Sequence, residues 1–301
     1  MTKSSGTILA GECRPEGRGA GTATRNRRVF RALPAVLAVF ATTVCLAAPP
    51  QYALIDLGSI NAAGAGLFWK LRQGALAPSN WPSTAGVCQN GTSSWVWATY
   101  GNVAVGGTCA PAPKGATDDA AKWTISGQTV TLTDYGVLPA PDTAMAGGSA
   151  TFQGFNTVGD FVGSGAYTYG GTSAPCPCFA SHGFIYNNGQ WTDLTPIAGY
   201  EYDSNAEAVN DSHEVVGQTT TISSTGDQAL LKRAFVYIDG TTYNLTFYVV
   251  GGPKAFLQDA YWIDCQGNIA AVGLPNSPGS NATLHNYLLV RQGPARTNCP
   301  K

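Results

Sequence analysis

Short apolar runs alternate with polar turns along most of the chain. The runs at 235–238 (FVYI) and 287–290 (YLLV) are continuously apolar, which is typical of strands that are covered on both faces. The turns at 187–189 (NNG) and 239–240 (DG) carry residues that accept a positive φ between two antiparallel strands. The pattern predicts an all-β protein built from hairpins, and 37 glycines and 18 prolines in 301 residues agree with many turns.

The pattern is organised into repeated units. One unit opens with an aromatic strand at 182–186 (HGFIY), returns through 190–194 (QWTDL), and closes with a hairpin over 206–217. The same order of elements recurs upstream at 121–163 and downstream at 233–270. Each unit is therefore predicted to contain four short antiparallel strands.

The repeat has a constant length and complementary ends. Asn156, Asn210 and Asp264 hold one equivalent place, at separations of 54 and 54 residues. The first unit begins in its middle, at the second-strand sequence 52–58 (YALIDLG), and the last ends with a lone first strand at 285–290 (HNYLLV). Such a split unit closes a circular propeller and removes sheet edges, whereas an open solenoid needs caps. We therefore predict a four-bladed β-propeller-like ring of four-stranded antiparallel sheets, whose first blade is closed by the C-terminal strand. The predicted blades are about 52–110 plus 285–292, 121–165, 182–220 and 232–273.

These units resemble the HAF family of bacterial extracellular repeat proteins. In that family a unit opens with His-Ala-Phe, passes through Asp-Leu-Gly, and closes with Ile-Asn, a turn and Val-Val-Gly. Here 182–184 (HGF) and 233–235 (RAF) match the opening, 56–58 (DLG) matches the middle, and 209–217 matches the close. The resemblance covers roughly 52–292. It implies export and a β-repeat scaffold, and it supplies no catalytic residue.

The N-terminal region has the features of an export signal. Four arginines within 25–31 precede an apolar run over 32–48, which ends in small residues before two prolines. The 17-residue run is short for a membrane span, so cleavage after position 48 is preferred to the alternative of a transmembrane anchor. Residues 1–48 are thus predicted to be a lead and signal peptide. Residues 49–301 are predicted to be a single repeat domain, secreted or periplasmic, with no membrane span after cleavage.

The net charge of residues 49–301 argues against polyanionic partners. The lead carries seven of the 17 basic and two of the 18 acidic residues, so the domain keeps 10 basic and 16 acidic residues. A net charge of −6 without a basic stripe disfavours nucleic acid and anionic membranes as partners.

Cysteine pairing follows from the strand order. The six cysteines after the lead are Cys88, Cys109, Cys176, Cys178, Cys265 and Cys299. In an exported chain they are expected to form disulfides. An up-and-down blade places Cys265 and Cys299 on one face of the ring, and Cys88 and Cys109 on the other at the ends of one hairpin. We therefore predict the pairs Cys88–Cys109 and Cys265–Cys299.

The remaining two cysteines, Cys176 and Cys178, are predicted to pair with each other or to stay free. Together with His182 they could form a soft metal site, because thiolate and imidazole groups suit zinc or cuprous copper. That site lacks a fourth ligand, and export favours oxidation, so we predict no metal and no cofactor.

Acidic groups offer two kinds of candidate site. Four recurrent positions could ring a channel and bind a cation, or each could accept backbone N–H bonds at a strand end; they are Asp56, Asp134, Asp193 and Asn244. The backbone role is preferred. Glu201 with Asp203, or Asp118 with Asp119, could serve as a glycosidase pair, but we expect solvated surface at both. No nucleophile-elbow, metalloprotease or phosphate-loop motif is present.

Aromatic residues outside the repeat strands are the candidate binding groups. They are Trp69, Trp81, Tyr167, Tyr169, Tyr200 and Tyr202, all expected in loops. Loop aromatics either stack on sugars and anchor partners or cover the ends of the blades. We predict a non-enzymatic binding or structural scaffold whose partner is a glycan or an envelope protein. The alternative is a carbohydrate-active enzyme or a lectin on the same scaffold.

Overall fold

The strands are described in a computed structural model. It describes residues 49–59, 95–109, 118–127, 129–139, 144–169, 178–194, 203–221, 231–251, 254–275, 283–293 and Cys299. All of them fall within one folded unit, Ala47–Lys301. In these ranges no helix is long and apolar enough to cross a bilayer.

The described residues form sixteen strands in four antiparallel sheets. β1 (Gln51–Ser59) belongs to the last sheet. Sheet I contains β2 (Trp95–Tyr100), β3 (Val103–Cys109), β4 (Asp118–Ser126) and β5 (Thr129–Gly136). Sheet II contains β6 (Ala144–Phe155), β7 (Phe161–Tyr169), β8 (Cys178–Asn187) and β9 (Gln190–Asp193). Sheet III contains β10 (Asp203–Val209), β11 (Val215–Thr221), β12 (Leu231–Ile238) and β13 (Thr241–Asn244), followed by a 3-10 helix at Leu245–Phe247. Sheet IV contains β14 (Ala255–Ile263), β15 (Ile269–Pro275) and β16 (His285–Gln292), with β1 as its fourth strand. The predicted all-β, propeller-like architecture of four four-stranded sheets is confirmed.

The two terminal strands pair as the split unit predicts. β1 lies antiparallel to β16, with Gln51 opposite Gln292 and Leu54 opposite Leu289. On its other side, the Tyr52 amide donates to the Tyr248 carbonyl (2.9 Å), so the start of β1 is bonded on both sides. The N-terminal strand therefore completes the sheet formed by the C-terminal part of the chain.

The sheets are out of step with the sequence repeat by two strands. Each sheet joins the last two strands of one unit to the first two strands of the next, so the predicted blade boundaries do not coincide with the sheets. The reason is the long hairpin between units. β11 and β12 pair in unbroken register from Val215 opposite Tyr237 to Thr221 opposite Leu231. The repeat length predicts the spacing of the strands along the chain. It does not predict which four successive strands form one sheet.

The turn and strand chemistry matches the sequence pattern. Asn188 with Gly189 and Asp239 with Gly240 both adopt positive φ, as their hairpin turns require. β15 is buried at six consecutive positions, which explains why its sequence is continuously apolar rather than alternating.

Apolar clusters join successive sheets. Between sheets I and II the core includes Val105, Leu138 and Phe152. A second cluster joins sheets II and III, and a third joins sheets III and IV. In sheet II, Phe152 stacks on Phe161 with ring centroids 4.9 Å apart. The packing therefore runs sheet to sheet, as it does between blades of a propeller.

A β-bulge recurs in the first strand of every sheet. A register shift at the equivalent place of β2, β6, β10 and β14 inserts Trp97, Gln153, Glu207 and Tyr261 as extra residues, and β6 and β14 each have one further shift nearer their start. Opposite two of these bulges lie Gly163 and Gly217, which closely approach a neighbouring carbonyl. The bulges re-aim side chains of the four first strands in the same way.

Candidate functional site: the central cavity

The first strands of all four sheets line one cavity. It has a volume of about 370 Å³, within the range of small-molecule sites. Its described lining residues come from β2, β6, β10 and β14 and from the turns that follow them: Ala98, Thr99, Tyr100, Gln153, Gly154, Phe155, Asn156, Thr157, Glu207, Ala208, Val209, Asn210, Asp211, Tyr261, Trp262, Ile263 and Cys265. Equivalent positions of four repeats therefore surround the same space.

Three bulge residues form the chemical part of this wall. Gln153, Glu207 and Tyr261 are the extra residues of β6, β10 and β14, and all three line the cavity. Each lies three positions before the recurrent Asn or Asp of its unit. The same backbone irregularity thus presents an amide, a carboxylate and a phenol to one space.

A short hydrogen-bond network holds the acidic side of the wall. The Asn205 side-chain amide donates to Gln153 Oε1 (3.0 Å) and to Glu207 Oε1 (2.6 Å). This bridges sheets II and III beside the cavity. Glu207 is only 5% exposed, and the hydrogen bond from Asn205 fixes the position of its carboxylate.

Tyr261 is a neutral phenol in the wall of the cavity. Burial of the ring, and secondarily the nearby Asp259 carboxylate, raises the pKa of Tyr261 to about 12. The phenol therefore remains protonated at physiological pH.

The recurrent Asn and Asp positions build the turns around the cavity. The Asn210 side-chain oxygen accepts from the Ser212 and Glu214 amides, both at 3.0 Å. Its Nδ2 donates to Glu214 Oε2 (2.8 Å) and to the Asp264 carbonyl of the next sheet (3.0 Å). Asn156 repeats this pattern and donates to the Asn210 carbonyl at 2.9 Å. The 54-residue spacing is therefore a ladder that ties sheet II to III and III to IV.

Two side-chain pairs reinforce the ladder. Glu214, 2% exposed, accepts from the Arg291 guanidinium at 2.5 Å, which joins sheets III and IV. At the equivalent place, the buried Asp160 carboxylate lies 2.6 Å from His213 Nδ1, which joins sheets II and III. Both pairs include a residue of the β10–β11 turn and link it to a neighbouring sheet. They therefore stabilise the arrangement of the sheets.

The recurrent acids of the middle motif lie away from the cavity. Asp56 and Asp134 each accept the backbone N–H of the glycine two residues on, at 2.8 Å, and Asn244 accepts that of Thr246. These residues belong to the fourth strand of each sheet, at the edge opposite the cavity strands. The backbone role preferred from the sequence is confirmed for these three, and the channel-ring alternative is wrong.

The His and Asp of the repeat motif contact each other. His182 Nδ1 lies 2.8 Å from Asp193 Oδ2, and His285 Nδ1 lies 2.9 Å from Asp56 Oδ2. In both sheets the aromatic residue two positions after the histidine lies opposite the aspartate. His182 is thus part of a hairpin contact.

The predicted pairing of Cys265 with Cys299 is confirmed. Cys265, at the β14–β15 turn, forms a disulfide with Cys299, and the two Cα atoms are 5.3 Å apart. Since Cys265 also lines the cavity, the bond holds Cys299 beside it. The predicted Cys88–Cys109 bridge and the state of Cys176 and Cys178 lie outside the described side chains.

Removal of this disulfide is expected to destabilise the domain. The bond closes a loop between residues 34 apart, so the double variant Cys265→Ser/Cys299→Ser should lose about 3 kcal/mol of unfolding free energy. Urea denaturation of the variant and of the oxidised parent measures the difference. Equal midpoints and slopes would contradict the expectation.

The sequence located other candidates less well. Tyr167 and Tyr169 are not in a loop, because β7 continues through Tyr169, which pairs with Cys178. The predicted loop there is wrong: alternating tyrosine and threonine residues extend the hairpin. Trp69, Trp81, Tyr200 and Tyr202 lie outside the described residues.

The acidic pairs are not all solvated surface. Asp119 is buried at the start of β4, and burial raises the pKa of its neighbour Asp118. Asp203 accepts the Ser181 N–H at 2.8 Å, and burial raises its pKa as well. Glu201 lies outside the described residues. These carboxylates begin strands, where paired backbone and neighbouring sheets cover them.

The sequence interpretation missed the cavity residues. The sequence pattern places Glu207 and Tyr261 only in repeat strands, and it does not single out Gln153. A polar residue at a fixed distance before each recurrent Asn was the available signal. No protein-family profile matches the chain, and comparison with curated proteins finds no similar sequence.

Proposed function

We propose that this protein is an exported, non-enzymatic scaffold that binds a ligand in its central cavity. The observation that carries the proposal is the cavity itself, which equivalent residues of four repeats surround. Small-molecule sites are commonly concave and apolar, with a few fixed polar groups. Glu207, held by Asn205 beside Gln153, is such a group, and Tyr100, Tyr261 and Trp262 supply aromatic surface.

Export and the repeat family are part of the same proposal. The arginine-rich start and apolar run over 25–48 support cleavage and release into the periplasm or medium. The Cys265–Cys299 disulfide suits an oxidising compartment. The His–Asp contacts give the HAF-like motif a structural purpose, which supports its use as a scaffold element.

A blocked cavity tests binding. Thr157 is an exposed lining residue, whereas its neighbour Val158 is exposed and not among the lining residues. Thr157→Trp is therefore expected to abolish capture of glycan or envelope partners, and Val158→Trp should leave it intact. A glycan array and a pull-down from the host cell envelope measure this capture. N-terminal sequencing of the exported chain tests whether it is cleaved. Equal capture by both variants, or an uncleaved chain, would contradict the proposal.

The carbohydrate-active alternative uses the same cavity. Aromatic rings beside a carboxylate and an amide are groups that also bind sugars. Hydrolysis would need two carboxylates that face each other, roughly 5–10 Å apart. Turnover of host polysaccharide that is lost in Glu207→Gln would establish the enzyme in place of the scaffold.

A further inference from the structure

The polar groups of the cavity divide into two sets. Those in the turns are engaged in structure: Asn156 and Asn210 form the ladder between sheets, and the Asp211 carboxylate accepts from the Thr157 amide (3.0 Å) and hydroxyl (2.7 Å). The strand wall carries Gln153 and Glu207, which both accept from the Asn205 side-chain amide. The wall therefore presents a carboxylate and an amide that are fixed in place.

The charge of the wall has one sign. Glu207 and Asp211 are acidic, and none of the described lining residues is lysine, arginine or histidine. Three described cations are engaged elsewhere: Arg291 on Glu214, Lys122 over the Phe161 ring and Arg233 over the Phe256 ring. A concave site of this charge attracts cations and repels anions.

Aromatic rings complete the site. Tyr261 and Trp262 are consecutive residues of β14, and β14 contacts the β10 strand that carries Glu207. Tyr100, 69% exposed, lies on β2 at the cavity. The Tyr261 phenol is neutral at neutral pH, and burial raises its pKa further, to about 12. Neutral aromatic faces beside a carboxylate are the surroundings that an ammonium ion prefers.

We propose that the cavity binds a protonated organic amine, with its ammonium group on Glu207 and its apolar body against the aromatic rings. This inference rests on the proposed function, because it names the ligand class of the same cavity. A carboxylate can accept several hydrogen bonds, and the Asn205 amide holds this one in a fixed direction. Fixing the acceptor before the ligand arrives reduces the entropy lost on binding.

Calorimetry with four matched probes tests the ligand class. The probes are benzylammonium, its uncharged counterpart benzyl alcohol, its anionic counterpart benzoate, and glucose. Benzylammonium should bind the parent protein, and the other three should bind at least about tenfold more weakly, since only the ammonium forms a charge-assisted bond.

Two variants test the residues. Glu207→Gln should weaken benzylammonium binding by about tenfold or more, because the amide keeps the shape and loses the charge. Asp134→Asn is the matched control: Asp134 is exposed on the far strand, and asparagine keeps the oxygen that accepts the Gly136 N–H. Circular dichroism and melting temperature check that each variant folds. Tyr100→Ala, at an exposed position, should weaken binding several-fold without unfolding the domain.

The outcomes separate the two proposals. Tighter binding of benzyl alcohol or glucose than of benzylammonium would overturn the ammonium inference and leave the binding scaffold standing. Unchanged benzylammonium affinity in a folded Glu207→Gln variant would overturn it as well. If no probe binds, the inference fails, and capture by the Val158→Trp but not the Thr157→Trp variant still decides the proposed function.

Discussion

Gly217→Ala is expected to destabilise the domain severely. A Cβ atom at this position would lie 1.9 Å from the Asn205 carbonyl oxygen and 3.0 Å from the Phe235 ring. The carbonyl belongs to the backbone of β10 beside the bulge, so neither group can move without disturbing the sheet. Overpacking of this kind should lower the free energy of unfolding by roughly 2–4 kcal/mol, measured by urea denaturation.

Sheet IV offers the matched control for this substitution. Ala271 occupies the equivalent register position, opposite Ala260 and next to the same bulge. Unlike Gly217, this buried position already carries a methyl group. Ala271→Gly should therefore cost only about 1 kcal/mol, the conformational price of a strand glycine. If Gly217→Ala were no more destabilising than Ala271→Gly, the close approach at the bulge would be wrong.

Deletion of residues 285–301 is expected to abolish the folded monomer. The deletion removes β16, whose Tyr287 and Leu289 are 1% and 0% exposed in the core shared by sheets III and IV. β1 then loses the partner to which its whole length is bonded, and β15 becomes an open edge. Size-exclusion chromatography with light scattering should show aggregates or strand-exchanged dimers.

A shorter deletion serves as the control. Removal of 294–301 with Cys265→Ser leaves β16 intact and removes only the tail and its disulfide. That protein should remain a folded monomer with about 3 kcal/mol less stability. A stable monomer after the longer deletion would contradict the closing role of β16.

Much of the fold follows from local residues. Positive-φ turn pairs such as Asn188-Gly189 and Asp239-Gly240 fix the tight hairpins, and the incomplete ends predict the pairing of β1 with β16. The strand order then places Cys265 and Cys299 on one face, where their bond is found. These features depend on neighbouring residues or on the count of strands, both of which a sequence records.

The division into sheets does not follow from the sequence. The hairpin of β8 and β9 has a tight turn and reads as a unit, whereas β11 and β12 are joined by a longer connection yet pair over seven residues. Each of these hairpins shares a sheet with two further strands, and only packing decides which two strands they are. The repeat motif can therefore be predicted from the sequence, but the boundary between one sheet and the next cannot.

The cavity residues illustrate a second limit. Glu207 lies between two alanines of β10, and its direction depends on a bulge in which two residues oppose one. Bulges arise from the pairing of two strands, so no local pattern specifies them. The sequence interpretation consequently placed the binding groups on loop aromatics rather than on the strands around the axis.

Disulfide trapping between the terminal strands tests ring closure most directly. Ala53 and Val290 lie directly opposite each other in the β1–β16 pair, and both are half-buried. The variant Ala53→Cys/Val290→Cys should form an intramolecular bridge in the monomer, whereas Ala53→Cys/Leu288→Cys, displaced by two residues, should not. Mass spectrometry of non-reduced peptides from the monomer reads the result. A bridge found only in dimers, or equal bridging by the displaced pair, would contradict a ring closed by its own terminal strands.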